Sequence, residues 1–154
     1  MYPYLYNFAD PNRQSSIQSD KLIRDIEKAI NGQYSAIQCY AKLAKMAPTD
    51  RERVQILEIR NDEIKHYQRF TQIYVNLTGM QPDVKVIEEC PNTYVEGLEY
   101  ALKDEQETVD FYLDISDETN DPYIKEVFRR AAADEQNHAV WFLYYFIKNK
   151  RAEL

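Results

Sequence analysis

The sequence predicts an all-α protein: a four-helix bundle built of two antiparallel hairpins joined by a long crossover. Three observations carry that expectation. Apolar residues recur at intervals of three and four along four separate stretches. The breaks between those stretches run short, long, short. A Glu-x-x-His motif, Glu63 with His66, returns 72 positions later as Glu135 with His138, and the same shift carries Asp62 onto Asp134, Tyr40 onto Tyr112 and Phe70 onto Phe142. These are the chain's two histidines. Both would follow a glutamate at that spacing in only about one chain in a hundred of ordinary composition, so the repeated motif reads as a metal site.

Residues 1–18 contain Pro3, Pro11 and an aromatic cluster of Tyr2, Tyr4, Tyr6 and Phe8. Prolines at that density break a helix, so an aromatic N-terminal arm is expected, packing on the domain or on a partner. The bundle is expected over residues 19–149, with 150–154 as a tail. In the first helix, Leu22, Ile26, Ala29, Ile30, Gln33, Ile37, Tyr40 and Leu43 share a face up to Met46, before Pro48. Thr49 with Glu52 resembles a capping box, and it opens a second helix with an inner face of Ile56, Ile59, Glu63, His66, Phe70, Ile73 and Leu77. Gly79 and Pro82 close it. Residues 80–91 show no period and read as the crossover. Thr93 with Glu96 starts the third helix, which runs through Leu98, Leu102, Glu105, Val109, Tyr112 and Ile115. In Thr119-Asn120-Asp121-Pro122, Asp caps and Pro takes the first position of a fourth helix through Phe128, Ala131, Glu135, His138 and Phe142 to about Lys148. The runs Arg51-Glu52-Arg53 and Arg129-Arg130 read as solvated faces.

Length and composition set outer limits. A chain of 154 residues makes one domain with a real core, and 44% hydrophobic residues with three glycines suit a helical globule. A net charge of -7 argues against nucleic acid, whose phosphates demand clustered cations. No apolar run approaches the roughly 18 residues of a membrane span, and the N-terminus lacks the order of a secretory signal. A cytoplasmic protein is therefore expected. Cys39 and Cys90 have no C-x-x-C spacing, which argues against a zinc knuckle or rubredoxin-type site and leaves them as unpaired reduced thiols.

Residues three apart share a helix face, so each Glu-x-x-His presents a carboxylate and an imidazole in one direction. Di-iron and di-manganese bundle sites take one further carboxylate from each remaining helix. Glu105 lies seven residues before Tyr112 on an apolar face; the equivalent position before Tyr40 is Gln33.

With Gln33 and Tyr40, Glu63 to His66, Glu105 and Tyr112, and Glu135 to His138 in place, residues 20–148 resemble the rubrerythrin and ferritin-like di-iron carboxylate superfamily. The resemblance implies a metal set of Gln33, Glu63, His66, Glu105, Glu135 and His138, with Glu63 and Glu135 bridging. It also implies that Asp62 and Asp134 each orient the histidine of the opposite repeat, with Tyr40 and Tyr112 beside the ligands. The cofactor it implies is two iron ions, with manganese, a mixed pair or a single ion as alternatives. The activity it implies is oxidoreductase chemistry on peroxide or dioxygen. The alternatives are ferroxidase or iron handling, and a non-enzymatic metal-binding or structural bundle. Rubrerythrins usually carry a rubredoxin-type relay, so a peroxidase here would need a separate electron-donor protein. Few residues remain beyond the fourth helix to build a ferritin cage, and a homodimer through Ile23, Tyr34 and Tyr94 is the expected assembly. The departure from pattern is Gln33, where the family has Glu. Two divalent ions bring four positive charges, and three carboxylates leave the Gln33 half the weaker one. Glu27 does not substitute, since six residues turn it about 240° away from Gln33.

Overall fold

The structure, a computed structural model, describes residues 11–153. It is a four-helix bundle: α1 (Pro11–Met46), α2 (Asp50–Thr78), α3 (Tyr94–Glu118) and α4 (Pro122–Ala152). The helix α1 packs chiefly on α2 and α3 on α4, and the residue 79–93 crossover lets the second hairpin close on the first.

Local chemistry sets the starts of α2, α3 and α4 and the end of α2 where the sequence placed them. Thr49 Oγ1 accepts from the Glu52 amide at 3.2 Å, and Thr93 Oγ1 from the Glu96 amide at 3.4 Å. Asp121 Oδ1 accepts from the amides of Tyr123 and Ile124 at 2.8 and 3.1 Å, with Pro122 opening α4. Gly79 ends α2 at φ 69°, a left-handed conformation that a side chain resists, and its amide donates to Val75 O at 2.8 Å.

Four expectations need correction. The helix α1 begins at Pro11, inside the expected 1–18 arm; proline at a first helical position lacks an amide hydrogen that has no intrahelical partner anyway, so Pro11 starts a helix instead of breaking one. Tyr2, Tyr4, Tyr6 and Phe8 lie outside the described residues. At the other end α4 continues through the expected 150–154 tail to Ala152, with Lys150 and Arg151 favourably placed at the negative end of the helix. Glu52 is buried, not solvated: its carboxylate accepts from Lys148 at 2.6 Å, Tyr94 at 2.8 Å and Asn149 at 3.1 Å. Burial opposes its charge, but those hydrogen bonds prevail and hold the carboxyl below its ordinary range. Leu77, read as inward, is 43% exposed because it falls in the last turn of α2, beyond the buried Ile73 and Tyr74.

The core has two apolar halves. One gathers Ile26, Ile30, Phe70, Ile73, Tyr112 and Phe128; the other gathers Tyr40, Leu43, Ile56, Ile59, Leu98 and Phe142. Buried polar residues Gln33, Glu63, His66, Glu105, Glu135 and His138 fall between these halves along the helices. The internal repeat appears as matched ring contacts: Tyr40 lies against Phe142 with centroids 5.0 Å apart, and Tyr112 against Phe70 at 5.2 Å.

The cysteines overturn the reduced-thiol expectation. Cys39 on α1 and Cys90 in the crossover form a disulfide with Cα atoms 5.2 Å apart. Their sequence separation of 51 carries no local signature, and only the return of the crossover across α1 brings them together.

At Gly97 α3 packs closely on α1: a Cβ there would fall 2.1 Å from Leu43 Cδ2. Leu43 is fully buried, so it has little room to turn away. Gly97→Ala is expected to lose about 1–3 kcal/mol through overpacking, partly offset by about 1 kcal/mol of helix propensity. In a denaturant double-mutant cycle, adding Leu43→Ala should recover part of the loss; strict additivity would show that the contact is not the cause.

Candidate metal centre

Each helix sends one or two polar side chains into the middle of the bundle: Gln33 from α1, Glu63 and His66 from α2, Glu105 from α3, Glu135 and His138 from α4. All are buried. Ligating atoms of Glu63, Glu105, Glu135 and His138 lie within 4.8 Å of one another. His138 Nδ1 stands 2.8 Å from Glu63 Oε1, 3.6 Å from Glu105 Oε2 and 3.9 Å from Glu135 Oε2. His66 Nδ1 stands 2.9 Å from Glu135 Oε1 and 3.3 Å from Glu63 Oε2. The structure therefore brings together all six residues of the sequence-derived set.

The far nitrogens of the rings are tied across the repeat. His66 Nε2 pairs with Asp134 Oδ2 at 3.0 Å, and His138 Nε2 with Asp62 Oδ2 at 3.4 Å. This leaves Nδ1 of each ring facing the cluster, an orientation that carboxylate partners impose on metal-binding imidazoles. The tyrosines also cross: Tyr40 donates to Glu105 Oε1 at 2.6 Å, while Gln33 Nε2 donates to Tyr112 Oη at 2.6 Å and to Glu135 Oε1 at 3.3 Å. The two halves differ at this bond: an amide, which can donate, stands where the other half has a carboxylate, which only accepts.

Among the described residues five buried side-chain atoms make no hydrogen bond: Thr71 Oγ1, and four at this site, Gln33 Oε1, Glu63 Oε1, Glu105 Oε2 and His138 Nδ1. The 2.8 Å contact between Glu63 Oε1 and His138 Nδ1 is ionic and not aligned as a hydrogen bond. Buried acceptors are rarely left without a donor. Here the four belong to one cluster of hard oxygens and imidazole nitrogen, the donor set that suits iron, manganese or zinc. The residues fit a metal ion.

Charge in the metal-free chain points the same way. Burial opposes protonation of His66, yet hydrogen bonds to Asp134 and Glu63 outweigh it and raise the ring to about 9. Burial likewise opposes charge on His138, but Glu105 and Glu63 raise it to about 11. Glu63 is desolvated but held down to about 2 by His138 and His66. Glu135, buried beside Glu63 and Glu105, is pushed well above the usual carboxylate range. Without a metal, imidazolium supplies the positive charge that the carboxylates need.

A cavity of about 160 Å³ reaches this cluster between α1 and α3, beneath Ile87 and Glu88 of the crossover, and touches Gln33, Glu63 and Glu135. Asp104 and Thr108 line it as well, two residues that sequence reasoning missed. Asp104 is raised to about 8 by burial and then by the charges of Glu88 and Glu105. Its repeat-related position is Gly32, so the internal symmetry gave no signal for it.

These shifts fix a pH dependence. Groups raised above their ordinary values stabilise the fold while protonated: the His66 contribution is complete below about 6.5 and is lost as pH rises through about 9, and that of His138 is lost through about 11. Metal-free protein is expected to show a Tm that falls from pH 6.5 to 9, whereas metal binding, which displaces those protons, should tighten over the same interval. Calorimetric melting with and without Mn(II) checks this; a Tm that rises with pH in metal-free protein would contradict the assignment of charge.

Comparison with known proteins agrees with the geometry. The rubrerythrin family model matches residues 96–153, which hold the third and fourth helices. Uncharacterized protein YhjR of Bacillus subtilis (strain 168) is 52% identical over 147 residues, covering 96% of this chain and 98% of YhjR. Ferritin-like, diiron-carboxylate proteins from Bacillus anthracis superpose with a TM-score of 0.74 at 21% identity, over 84% of this chain and 97% of theirs. The bacterioferritin of Desulfovibrio desulfuricans superposes with a TM-score of 0.75 at 21% identity, over 87% of this chain and 82% of its own. The chain and YhjR belong to one family, residues 96–153 carry the match to the rubrerythrin model, and the fold is that of the ferritin-like four-helix bundles.

Proposed function

We propose that this protein is a di-iron oxidoreductase that reduces the O–O bond of peroxide or dioxygen. The observation that carries the reading is the convergence of Glu63, Glu105, Glu135 and His138 on one buried point, where Glu63 Oε1, Glu105 Oε2 and His138 Nδ1 make no hydrogen bond. In this reading Glu105 and His138 would hold one ion and Gln33 and His66 the other, and Glu63 and Glu135 would supply further carboxylates to the site. Two ferrous ions held together supply two electrons to an O–O bond.

The protein's own groups supply orientation and access. Asp62 and Asp134 fix the imidazoles so that Nδ1 faces inward. Tyr40 keeps one oxygen of Glu105 hydrogen-bonded, leaving Oε2 directed at the cluster. Burial, then the charge of Glu105, pushes the Tyr40 hydroxyl well above its ordinary range, so it holds its proton at neutral pH. The cavity has room for a few waters or one small oxidant at about 30 Å³ per water. Ala29, Ala36, Ile87 and Phe111 give it an apolar wall that suits an uncharged O–O compound.

Gln33 favours a second reading, a metal carrier without turnover, because it removes one negative charge from the set. Anaerobically Fe(II)-loaded protein given hydrogen peroxide separates the two: consumption beyond the free-iron control supports the oxidoreductase, and binding without consumption supports the carrier. Glu105→Ala is expected to cut the rate about 100-fold or more, at the upper end of what single groups around a metal contribute. Gln33→Glu should raise it about tenfold; an unchanged rate would mean that the missing carboxylate does not limit the chemistry. Asp134→Asn should weaken Mn(II) binding by about 10–100-fold in a calorimetric titration, and full affinity would remove Asp134 from the account.

A further inference from the structure

The Cys39–Cys90 disulfide joins α1 to the crossover one residue from Tyr40, and the chemistry above leaves it unused. Cys39 is buried on α1 and precedes Tyr40, whose hydroxyl donates to Glu105 at 2.6 Å. A covalent backbone step and one hydrogen bond thus connect the sulfur-bearing residue to a proposed ligand. Cys90 is half-buried in an irregular segment. One sulfur therefore belongs to a buried helical residue next to Tyr40, and the other to the more exposed residue of the pair, in the crossover.

Two further features separate a reactive pair from a staple. Lys42, on the next turn of α1 from Cys39, places its ammonium 3.3 Å from the Cys90 carbonyl oxygen and 2.8 Å from Asn92 Oδ1. A nearby cation stabilises thiolate over thiol, which speeds both attack on a disulfide and departure from one. The crossover is also anchored without the sulfur bridge. Asn31 Oδ1 accepts from the Lys85 amide at 2.8 Å, Ser35 Oγ accepts from the Ile87 amide at 3.0 Å, and Tyr100 donates to Glu88. Opening the disulfide leaves these ties in place.

We infer that Cys39 and Cys90 are a redox-active pair which, as a dithiol, supplies two electrons for peroxide reduction at the metal centre and is then restored by an external dithiol. The inference rests on the oxidoreductase reading. In the forward step the two thiols each lose a proton and an electron, the S–S bond forms, the O–O bond breaks, and one peroxide becomes two waters. In the return step a thiolate of the external dithiol attacks Cys90 Sγ, and Cys39 leaves as thiolate. The donor's second thiol then resolves the mixed disulfide, so that the donor is oxidised and both cysteines are reduced. The chain then needs no rubredoxin-type relay of its own.

The test counts thiols as well as turnover. Reduced, Fe(II)-loaded protein is treated anaerobically with hydrogen peroxide, quenched with an alkylating agent and analysed by mass spectrometry. Cys39 and Cys90 should disappear together at least tenfold faster than in metal-free protein or in Glu105→Ala. Wild-type protein should accept two more reducing equivalents' worth of peroxide per chain than Cys90→Ser, which should keep the wild-type circular dichroism because the crossover remains anchored. Peroxide consumed while both thiols survive would overturn the inference and leave the oxidoreductase reading intact; no peroxide consumed by iron-loaded protein would overturn both. A readout without iron is graded dithiothreitol redox buffer on folded, metal-free protein. Full reduction at native circular dichroism is expected, and a bridge that opens only on unfolding would identify a staple.

Discussion

Neutralising a layer of ionisable groups in the middle of the bundle is the constraint around which this protein is organised. Each unpaired buried charge costs several kcal/mol in lost hydration, and here three glutamates and two histidines meet where the four helices are most enclosed. The chain meets that cost by interlocking the groups. Every histidine contacts a carboxylate on its own helix and others across the bundle. The apolar halves on either side exclude water from the layer and fix the helix spacing that the contacts require. Atoms without hydrogen bonds at the centre of the layer mark where a cation completes the pairing.

The internal repeat turns one local motif into a two-sided site. Asp62 and Asp134, Tyr40 and Tyr112, Phe70 and Phe142 all work across the pseudo-symmetry, each acting on a group from the opposite half. Gln33 is where the symmetry fails. A neutral amide donates where a carboxylate would accept, turning the bond with Tyr112 around and leaving its oxygen without a hydrogen bond. The two halves of the layer are therefore chemically distinct.

Much of this was legible in the sequence because the signals are local. Glu-x-x-His spacing, the Thr and Asp caps and the three-and-four periodicity each act within a turn or two of helix, and the 72-residue repeat supplied the partner of each feature. What was missed depends on tertiary contact. Cys39 and Cys90 meet only because the crossover runs back over α1. Glu52 sits between two arginines as a surface residue would, yet Lys148 and Tyr94, from helices remote in sequence, draw it into the core. Pro11 was read as breaking a helix because its two roles, stopping one and starting one, look alike until the following residues are placed. Asp104 had no repeat partner to give it away.

Anomalous diffraction at the iron edge from crystals soaked anaerobically in Fe(II) decides whether the polar layer is a metal centre with unequal halves. The account predicts an ion bound among Glu63, Glu105, Glu135 and His138, with lower occupancy beside Gln33 and His66. Two peaks of equal occupancy would contradict the asymmetry, and no peak within the layer would contradict the metal centre itself.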